Sequence, residues 1–207
     1  MKHDSLYDNF RDPSCDFNNE PRAFCYNLAT KYIDAAKKKN TKEWYRDKRI
    51  VKGVLLLLFT WNFAARETKK LNFKNVGKLI EKNEARLRTL EKYTIETANQ
   101  TAWPIVKSVF SNFKGLMGQT GASKALSLLN PKLFVMWDTK IRRRLRKTLI
   151  PGIENGESPK HYVIYLKGIQ RIIYDYQLKQ KLPPRTIVAK KIDEYNYVKI
   201  VMNKKRV

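Results

Sequence analysis

Cysteine, histidine, glycine and proline are all scarce in this chain of 207 residues. The two cysteines, Cys15 and Cys25, and the two histidines, His3 and His161, do not stand at the spacing of metal ligands. Two cysteines cannot supply the four thiolates that hold an iron–sulfur cluster, and so low a number is typical of a reducing compartment. We therefore expect no metal, no cofactor and no iron–sulfur cluster, and a cytoplasmic, intracellular location.

Long hydrophobic runs are missing as well. The first 21 residues are polar and contain two prolines, whereas a secretory signal is basic and then apolar. The longest apolar run, Val54 to Phe59, extends through Trp61 and Phe63 to Ala65. That length is too short to span a bilayer and predicts a buried core helix, so we expect no membrane partner.

Negative charge is the third shortage. There are 19 Asp and Glu against 43 Lys and Arg, which gives a net charge of +24. Such an excess destabilises a compact state by self-repulsion, and it is expected mainly where a polyanion neutralises it. Nucleic acid is the first candidate partner. An origin in an organism whose proteins are lysine-rich throughout is the alternative, and the many Lys, Asn and Ile residues fit it too.

What the chain does have is enough apolar side chain for a folded core, 43% with 12% aromatic. Apolar residues recur at steps of three and four, which predicts a mostly α-helical, compact single unit of one or two lobes. Residues 1–21 are expected to be irregular, and the alternation from Tyr197 to Met202 predicts one short strand or an extended tail. Helices are predicted at Arg22–Asn40, Thr41 to about Trp61, Asn72–Ile80, Asn83 to about Tyr93, Thr101–Phe113, Ala122–Leu129, Thr139–Leu149, Ser158–Tyr176 and Arg185–Tyr195.

The stretch from Lys114 to Lys147 carries the pattern that suggests a site. Turns at Gly115 and at Gly118–Gly121 are predicted to interrupt the helices, so that backbone N–H groups and a helix start can bind a phosphate group. The candidate phosphate contacts are Lys114, Gly115, Gly118, Thr120, Ser123 and Lys124. The alternative is that the glycines serve only to cap helices.

One carboxylate, Asp138, ends the apolar run 133–137 and directly precedes the most basic cluster of the chain. It can serve as the N-cap of the following helix. It can also do chemistry, because Met136 and Trp137 partly desolvate it while Arg142 and Arg143 keep it ionised and bind a phosphodiester beside it. An ionised acid next to a sugar stabilises an oxocarbenium-like transition state or orients a water molecule.

This order of features resembles the helix-hairpin-helix DNA glycosylases. The matching residues are Leu116-Met117-Gly118 for the hairpin turn, Pro131 for the proline, and Asp138-Thr139 for the catalytic aspartate and its follower. Gly118 stands 20 positions before Asp138, close to the family's spacing. The resemblance covers residues 50–150 approximately and is strongest over 114–147.

The resemblance implies the rest of the site and the organisation of the chain. The apolar helix 54–61 resembles the one that leads into a DNA-probing loop, which places Trp61, Asn62 and Phe63 near the lesion. Trp61, Trp103 and Trp137 are candidate walls for a base flipped out of the duplex. The whole chain, 1–207, is one unit with its motif core at about 50–150. Helices in 22–49 and 158–195 complete a second lobe.

Two departures from the family bear on the reaction. The hairpin reads Gly115-Leu-Met-Gly118 in place of Leu-Pro-Gly-x-Gly. Members with lyase activity carry a lysine two residues after the second hairpin glycine, and this chain has Thr120 there. A monofunctional enzyme is therefore implied, with Lys124 interpreted as a surface phosphate contact and, alternatively, as a substitute lysine. The cluster-binding cysteines of some members are absent.

The expected function is thus a monofunctional DNA glycosylase, a monomer that acts on double-stranded DNA. It would flip a base out and hydrolyse its N-glycosidic bond with Asp138. Either a repair lesion or a hypermodified base of phage DNA fits as substrate, and a bacterial protein of this kind would be nucleoid-associated. The alternative is a non-catalytic helical DNA- or RNA-binding protein that uses the hairpin as a phosphate clamp.

Overall fold

The computed structural model describes residues 5–20, 22–39, 43–61, 70–153 and 158–202, and in these ranges the protein is mostly α-helical without a β-strand. The α-helices are α1 (Ser14–Asn18), α2 (Ala23–Lys39), α3 (Lys48–Trp61), α4 (Phe73–Lys82), α5 (Glu84–Leu90), α6 (Ala102–Leu129), α7 (Thr139–Thr148), α8 (Pro159–Asp175) and α9 (Val188–Asn196). Short 3-10 helices occupy Ser5–Tyr7, Trp44–Arg46 and Leu178–Lys181. The predicted mostly α-helical fold class is confirmed.

The two ends of the described chain differ from the prediction. The N-terminal stretch is not wholly irregular, since it contains the first 3-10 helix and α1, whose Phe17 is buried. The stretch Tyr197–Met202 is neither a strand nor an extended tail but a π-helical turn that continues α9. Val198, Ile200 and Val201 are all buried, so the apolar residues of this stretch contact the core from a π-helical turn and not from a strand.

Helices α2 and α3 form the closest helix pair of the fold. A Cβ atom on Gly53 of α3 would lie 2.9 Å from the backbone oxygen of Ala29 in α2, so only glycine permits this approach. Helix α3 also contacts α6, and α6 contacts α8. The buried apolar side chains form one contiguous cluster that runs from Tyr7 to Val201.

Helix α6 changes direction at a single residue. Gly118 has φ 68° and ψ 174° inside an otherwise helical stretch, so α6 is two helical segments joined by a kink. The predicted turns at Gly115 and Gly121 are wrong, because both residues lie within the helical segments and Gly121 is buried. At Gly118 the backbone enters the positive-φ region, which favours glycine.

Gly115 and Gly118 therefore give substitutions of opposite sign. Gly118→Ala is expected to lower the free energy of unfolding by about 1 to 3 kcal/mol, because a residue with a Cβ is strained at these dihedrals. Gly115→Ala is expected to raise it by about 0.5 to 1 kcal/mol, since Gly115 is exposed in a helix and its Cβ would meet nothing within 4 Å. Urea denaturation of both variants measures these changes. Equal changes in the free energy of unfolding would contradict a kink at Gly118.

Candidate functional site

Asp138 is the N-cap of α7, as one of the two sequence interpretations requires. Its backbone is extended, with φ −77° and ψ 150°, and its carboxylate accepts a hydrogen bond from the Lys140 N–H at 2.8 Å. The Asp138 side chain is half-buried, so it keeps contact with solvent while it caps. Capping fixes the carboxylate at the positive end of the α7 dipole and does not exclude a chemical role.

The segment 134–138 has no regular secondary structure and leads to Asp138, and buried tyrosines bind its carbonyl groups. The Tyr162 hydroxyl donates to the Val135 oxygen at 2.9 Å, and the Tyr165 hydroxyl donates to the Met136 oxygen at 2.9 Å. Both tyrosines lie on α8 and are fully buried. Burial raises the pKa of each phenol well above its usual range, so both remain donors at any physiological pH.

Side chains from α6 and α9 bind the amide groups of the same segment. The Met136 N–H donates to Asp193 Oδ1 at 2.6 Å, and the Trp137 N–H donates to the Ser123 hydroxyl at 2.9 Å. Ser123 is fully buried, and its own hydroxyl donates to the Thr120 oxygen at 3.0 Å. Its interpretation as a phosphate contact is wrong, because a side chain buried in this way positions the segment that carries Asp138 instead.

A small pocket opens beside Asp138. About 30 Å³ of it is open to the centre of a water molecule, which is room for roughly two waters. A nucleobase is several times larger, so the pocket would have to widen before it could hold one. The lining residues are Phe17, Tyr26, Trp61, Lys124, Met136, Asp138, Ile141, Asp193, Glu194 and Tyr197.

Aromatic rings from three parts of the chain wall this pocket. The Trp61 ring centroid lies 4.8 Å from that of Tyr197, 5.8 Å from Phe17 and 6.1 Å from Tyr26. The Trp61 indole N–H donates to the Arg22 oxygen at 2.9 Å, which fixes the orientation of the ring. The structure thus brings Trp61 and Asp138 to the same pocket, although 77 positions separate them in the chain.

Lys124 is not on the surface, and its interpretation as a surface phosphate contact is wrong. Only 5% of the residue is exposed, and its ammonium group donates to the Trp61 oxygen inside the pocket. Burial lowers the pKa of Lys124 to about 8, with Asp138 raising it and Arg22 lowering it further. A lysine with a lowered pKa in a pocket has the properties of a nucleophilic amine.

Two acids of α9 line the pocket, and few features of the sequence point to them. Asp193 is buried, and burial and the charge of Glu194 raise its pKa well above the usual range. Glu194 is buried as well and accepts from Lys191 at 2.8 Å. The only signal was an Asp-Glu pair next to Ile192, a position that the apolar stripe of α9 places near the core.

The other predicted site residues fall into two groups. Lys114, Thr120 and Arg142 are half-buried, and Gly115, Gly118 and Arg143 are exposed, so these positions stay accessible for the predicted DNA contacts. The Arg142 guanidinium lies 5.5 Å from the centre of the Trp137 ring.

Trp137 and Trp103 are not walls of the pocket. Trp137 is 1% exposed and stacks on Tyr165 at 5.8 Å, and Trp103 is buried elsewhere in the core. Both interpretations were wrong because a buried aromatic residue in a helical protein usually serves the core. Asn62 and Phe63, the predicted duplex-probing residues, lie outside the described residues.

A larger cleft of about 520 Å³ is lined by the connection between α8 and α9 and by Thr94, Glu96 and Lys132. Lys132, Lys179 and Arg185 contribute positive charge to it, and Glu96 pairs with Lys179 at 3.7 Å. None of the predicted site residues lines this cleft. The site is therefore assigned by its side chains and not by the volume of a cavity.

Comparison of the chain with protein-family models, curated proteins and solved structures gives no match in any of the three. Among the described residues, no helix has the length and apolar character needed to cross a membrane. The same described ranges contain no group of three or more His, Cys, Asp or Glu side chains arranged to hold a metal ion. The function therefore has to be argued from the pocket itself.

Proposed function

We propose that the protein is a DNA N-glycosylase that removes a damaged or modified base through Asp138. The observation that carries the proposal is the position of Asp138. Its carboxylate lies at once at the edge of an aromatic-walled pocket and at the start of the cationic helix α7. Aromatic walls stack on a flipped base, and the cationic helix binds the phosphates beside it.

The chemistry requires one bond to break and one to form. As the bond between the base and C1′ of the deoxyribose breaks, its electron pair leaves with the base and positive charge develops on the sugar. The Asp138 carboxylate stabilises that charge, and it orients a water molecule whose oxygen then bonds to C1′. The water gives up one proton, which passes to the departing base, and the products are the free base and an abasic site.

DNA binding follows from the charge of α7 and its surroundings. The helix sequence Thr139–Thr148 has six basic residues and no acidic one.

Each phosphate contact that is lost reduces the slope of log K against log salt concentration by about 1. Because Arg143 is exposed, Arg143→Gln is expected to weaken duplex binding and reduce this slope by about 1, as measured by fluorescence anisotropy at several salt concentrations. Lys92→Gln on the exposed turn after α5 serves as the control, and equal losses in both variants would contradict a DNA-binding role specific to α7.

A glycosylase that also cleaves the strand is the second candidate, and Lys124 favours it. Its amine lies in the pocket that Asp138 lines, and its pKa of about 8 leaves a fraction of it neutral at physiological pH. A neutral amine can attack C1′ as the base leaves with the electron pair of the broken bond. Opening of the sugar ring then gives an imine, with one amine proton passing to the base and the other to the ring oxygen. The monofunctional expectation relied on Thr120 alone, whereas this candidate relies on a lysine one helical turn further along.

The experiment that tests the proposal is a release screen. The protein is incubated with genomic DNAs, including DNA of phages with modified cytosines, and free bases are identified by mass spectrometry. Release of a base by wild type and not by Asp138→Asn supports the proposal and names the substrate. If no base is released from any DNA while binding stays steeply salt-dependent, the non-catalytic nucleic-acid-binding alternative holds instead.

A further inference from the structure

Asp193 is the acid whose contacts reach the candidate catalytic residue most directly. Its Oδ1 accepts the Met136 N–H at 2.6 Å, two residues before Asp138. Both residues of this hydrogen bond are buried, with 7% of Asp193 and 8% of Met136 exposed. The bond therefore links α9 to the segment that carries Asp138, in a place that bulk water does not reach.

Without the Asp193 acceptor, the buried Met136 N–H would lack a partner. The segment 134–138 could then satisfy this N–H only by moving. A buried N–H without a partner costs about 1 to 3 kcal/mol. The backbone of 134–138 can shift to expose the Met136 N–H to water, and such a shift would displace the Asp138 carboxylate. A displacement of about 1 Å at a reacting group costs on the order of 100-fold in rate.

We propose that Asp193 is a positioning residue: by accepting the Met136 N–H it fixes the segment 134–138, which presents Asp138 to the pocket. The inference rests on the proposed function for its kinetic consequence, but its structural part stands apart from any activity. It assigns to α9 a role in the reaction that sequence reasoning, which centred on residues 114–147, did not include.

The surroundings of Asp193 indicate which substitution preserves its hydrogen bond with the Met136 N–H. Burial is the largest cause of its raised pKa, the charge of Glu194 adds to it, and the Met136 N–H opposes it. These causes favour the neutral form of the carboxyl group, and Asn is neutral and keeps the side-chain oxygen that accepts the Met136 N–H. The other titratable groups around it are Tyr26, Tyr162, Tyr165, Lys124 and Asp138.

Asp193→Asn and Asp193→Leu form the test pair. The Asn variant is expected to release base within about threefold of the wild-type single-turnover rate, because the acceptor remains. The Leu variant is expected to be at least 10-fold slower with unchanged affinity for DNA, because only the position of Asp138 changes. An Asn variant that folds but releases base as slowly as Asp138→Asn would overturn the proposal, since Asp193 would then act as an acid itself.

Hydrogen–deuterium exchange separates this test from the test of the function. The amide of Met136 is expected to be protected in wild type and in Asp193→Asn and to lose protection in Asp193→Leu. If no substrate is found, the proposed function fails. The exchange result still shows whether Asp193 protects the Met136 N–H. Protection that is the same in all folded variants, or release by Asp193→Leu at the wild-type rate, would overturn the positioning role.

Discussion

Asp138→Asn is expected to lower the rate of base release at least 100-fold without unfolding the protein. Asn keeps the side-chain oxygen that accepts the Lys140 N–H, and Asn caps helices as well as Asp does, so α7 should start at the same residue. What is lost is the negative charge that stabilises the developing positive charge on the sugar, a contribution typically worth 100-fold or more. The measurement is the single-turnover rate on the substrate that the release screen identifies.

The control for this variant is Asp175→Asn. Asp175 ends α8, is half exposed at its side chain and lies 3.9 Å from the Arg171 guanidinium. An exposed pair of this kind contributes little to stability, and we expect wild-type rates. Wild-type release by Asp138→Asn would remove Asp138 from the chemistry. It would then be only the helix cap that the structure shows.

Lys124→Met is expected to stabilise the protein and to abolish any covalent intermediate. At pH 7 the lysine is protonated in the folded and in the unfolded chain, but burial lowers its folded-state pKa from 10.5 to about 8. That difference corresponds to about 3 kcal/mol of destabilisation, of which roughly 1 is offset by the hydrogen bond to Trp61. Met has a similar length and no charge, so a gain of about 2 kcal/mol is expected in urea denaturation.

The pH dependence of the stability gained in Lys124→Met tests whether the buried charge of Lys124 causes it. Because the folded-state pKa is lowered, the destabilisation by Lys124 is complete below about pH 8 and disappears as the pH rises to the unfolded value of 10.5. Wild-type stability should therefore approach that of Lys124→Met over this interval. Lys107→Met, an exposed position on the same helix, should show no such convergence. A gain that is equal at pH 7 and pH 10.5 would contradict a buried charge.

Borohydride trapping decides between the two candidate reactions of the same pocket. If Lys124 forms an imine with the sugar, reduction should give a covalent protein–DNA adduct with wild type and with Lys107→Met but not with Lys124→Met. Base release without any adduct in wild type would make the enzyme monofunctional. An adduct that persists in Lys124→Met would assign the imine to another amine.

The fold class was readable from the sequence because helical periodicity is a local property. Asn72 caps α4 through the Asn75 N–H, and Ser158 caps α8 through the Lys160 N–H, both at the predicted starts. The mistaken strand at the C-terminus has a physical reason. Six residues of alternating apolar character fit a strand and a buried π-helical turn equally well, and only the neighbouring α7 and α9 decide between them.

The candidate site was readable only in part. Asp138 was found because a cap residue, a basic helix and an apolar run are adjacent in the sequence. Trp61 was found because the apolar helix that it ends resembles the helix that leads into the probing loop of the DNA glycosylases. Lys124 and Ser123 were assigned to the surface, because the sequence does not show which face of an apolar helix other helices cover. Once α6 packs on α3 and α8, both side chains are inside.

By itself, the sequence determined the mostly helical fold, the net charge of +24 and the placement of Asp138 before a cationic helix. The charge is a property of composition, and the other two are properties of residues close together in the chain. The tertiary structure alone decided that Asp138 shares a pocket with Trp61, Lys124 and Asp193, since α3, α6 and α9 must pack against the start of α7 before these side chains meet. The same packing removes water from Lys124 and Asp193 and thereby shifts their pKa values. Burial is a property of the assembled fold, and no spacing along the chain encodes it.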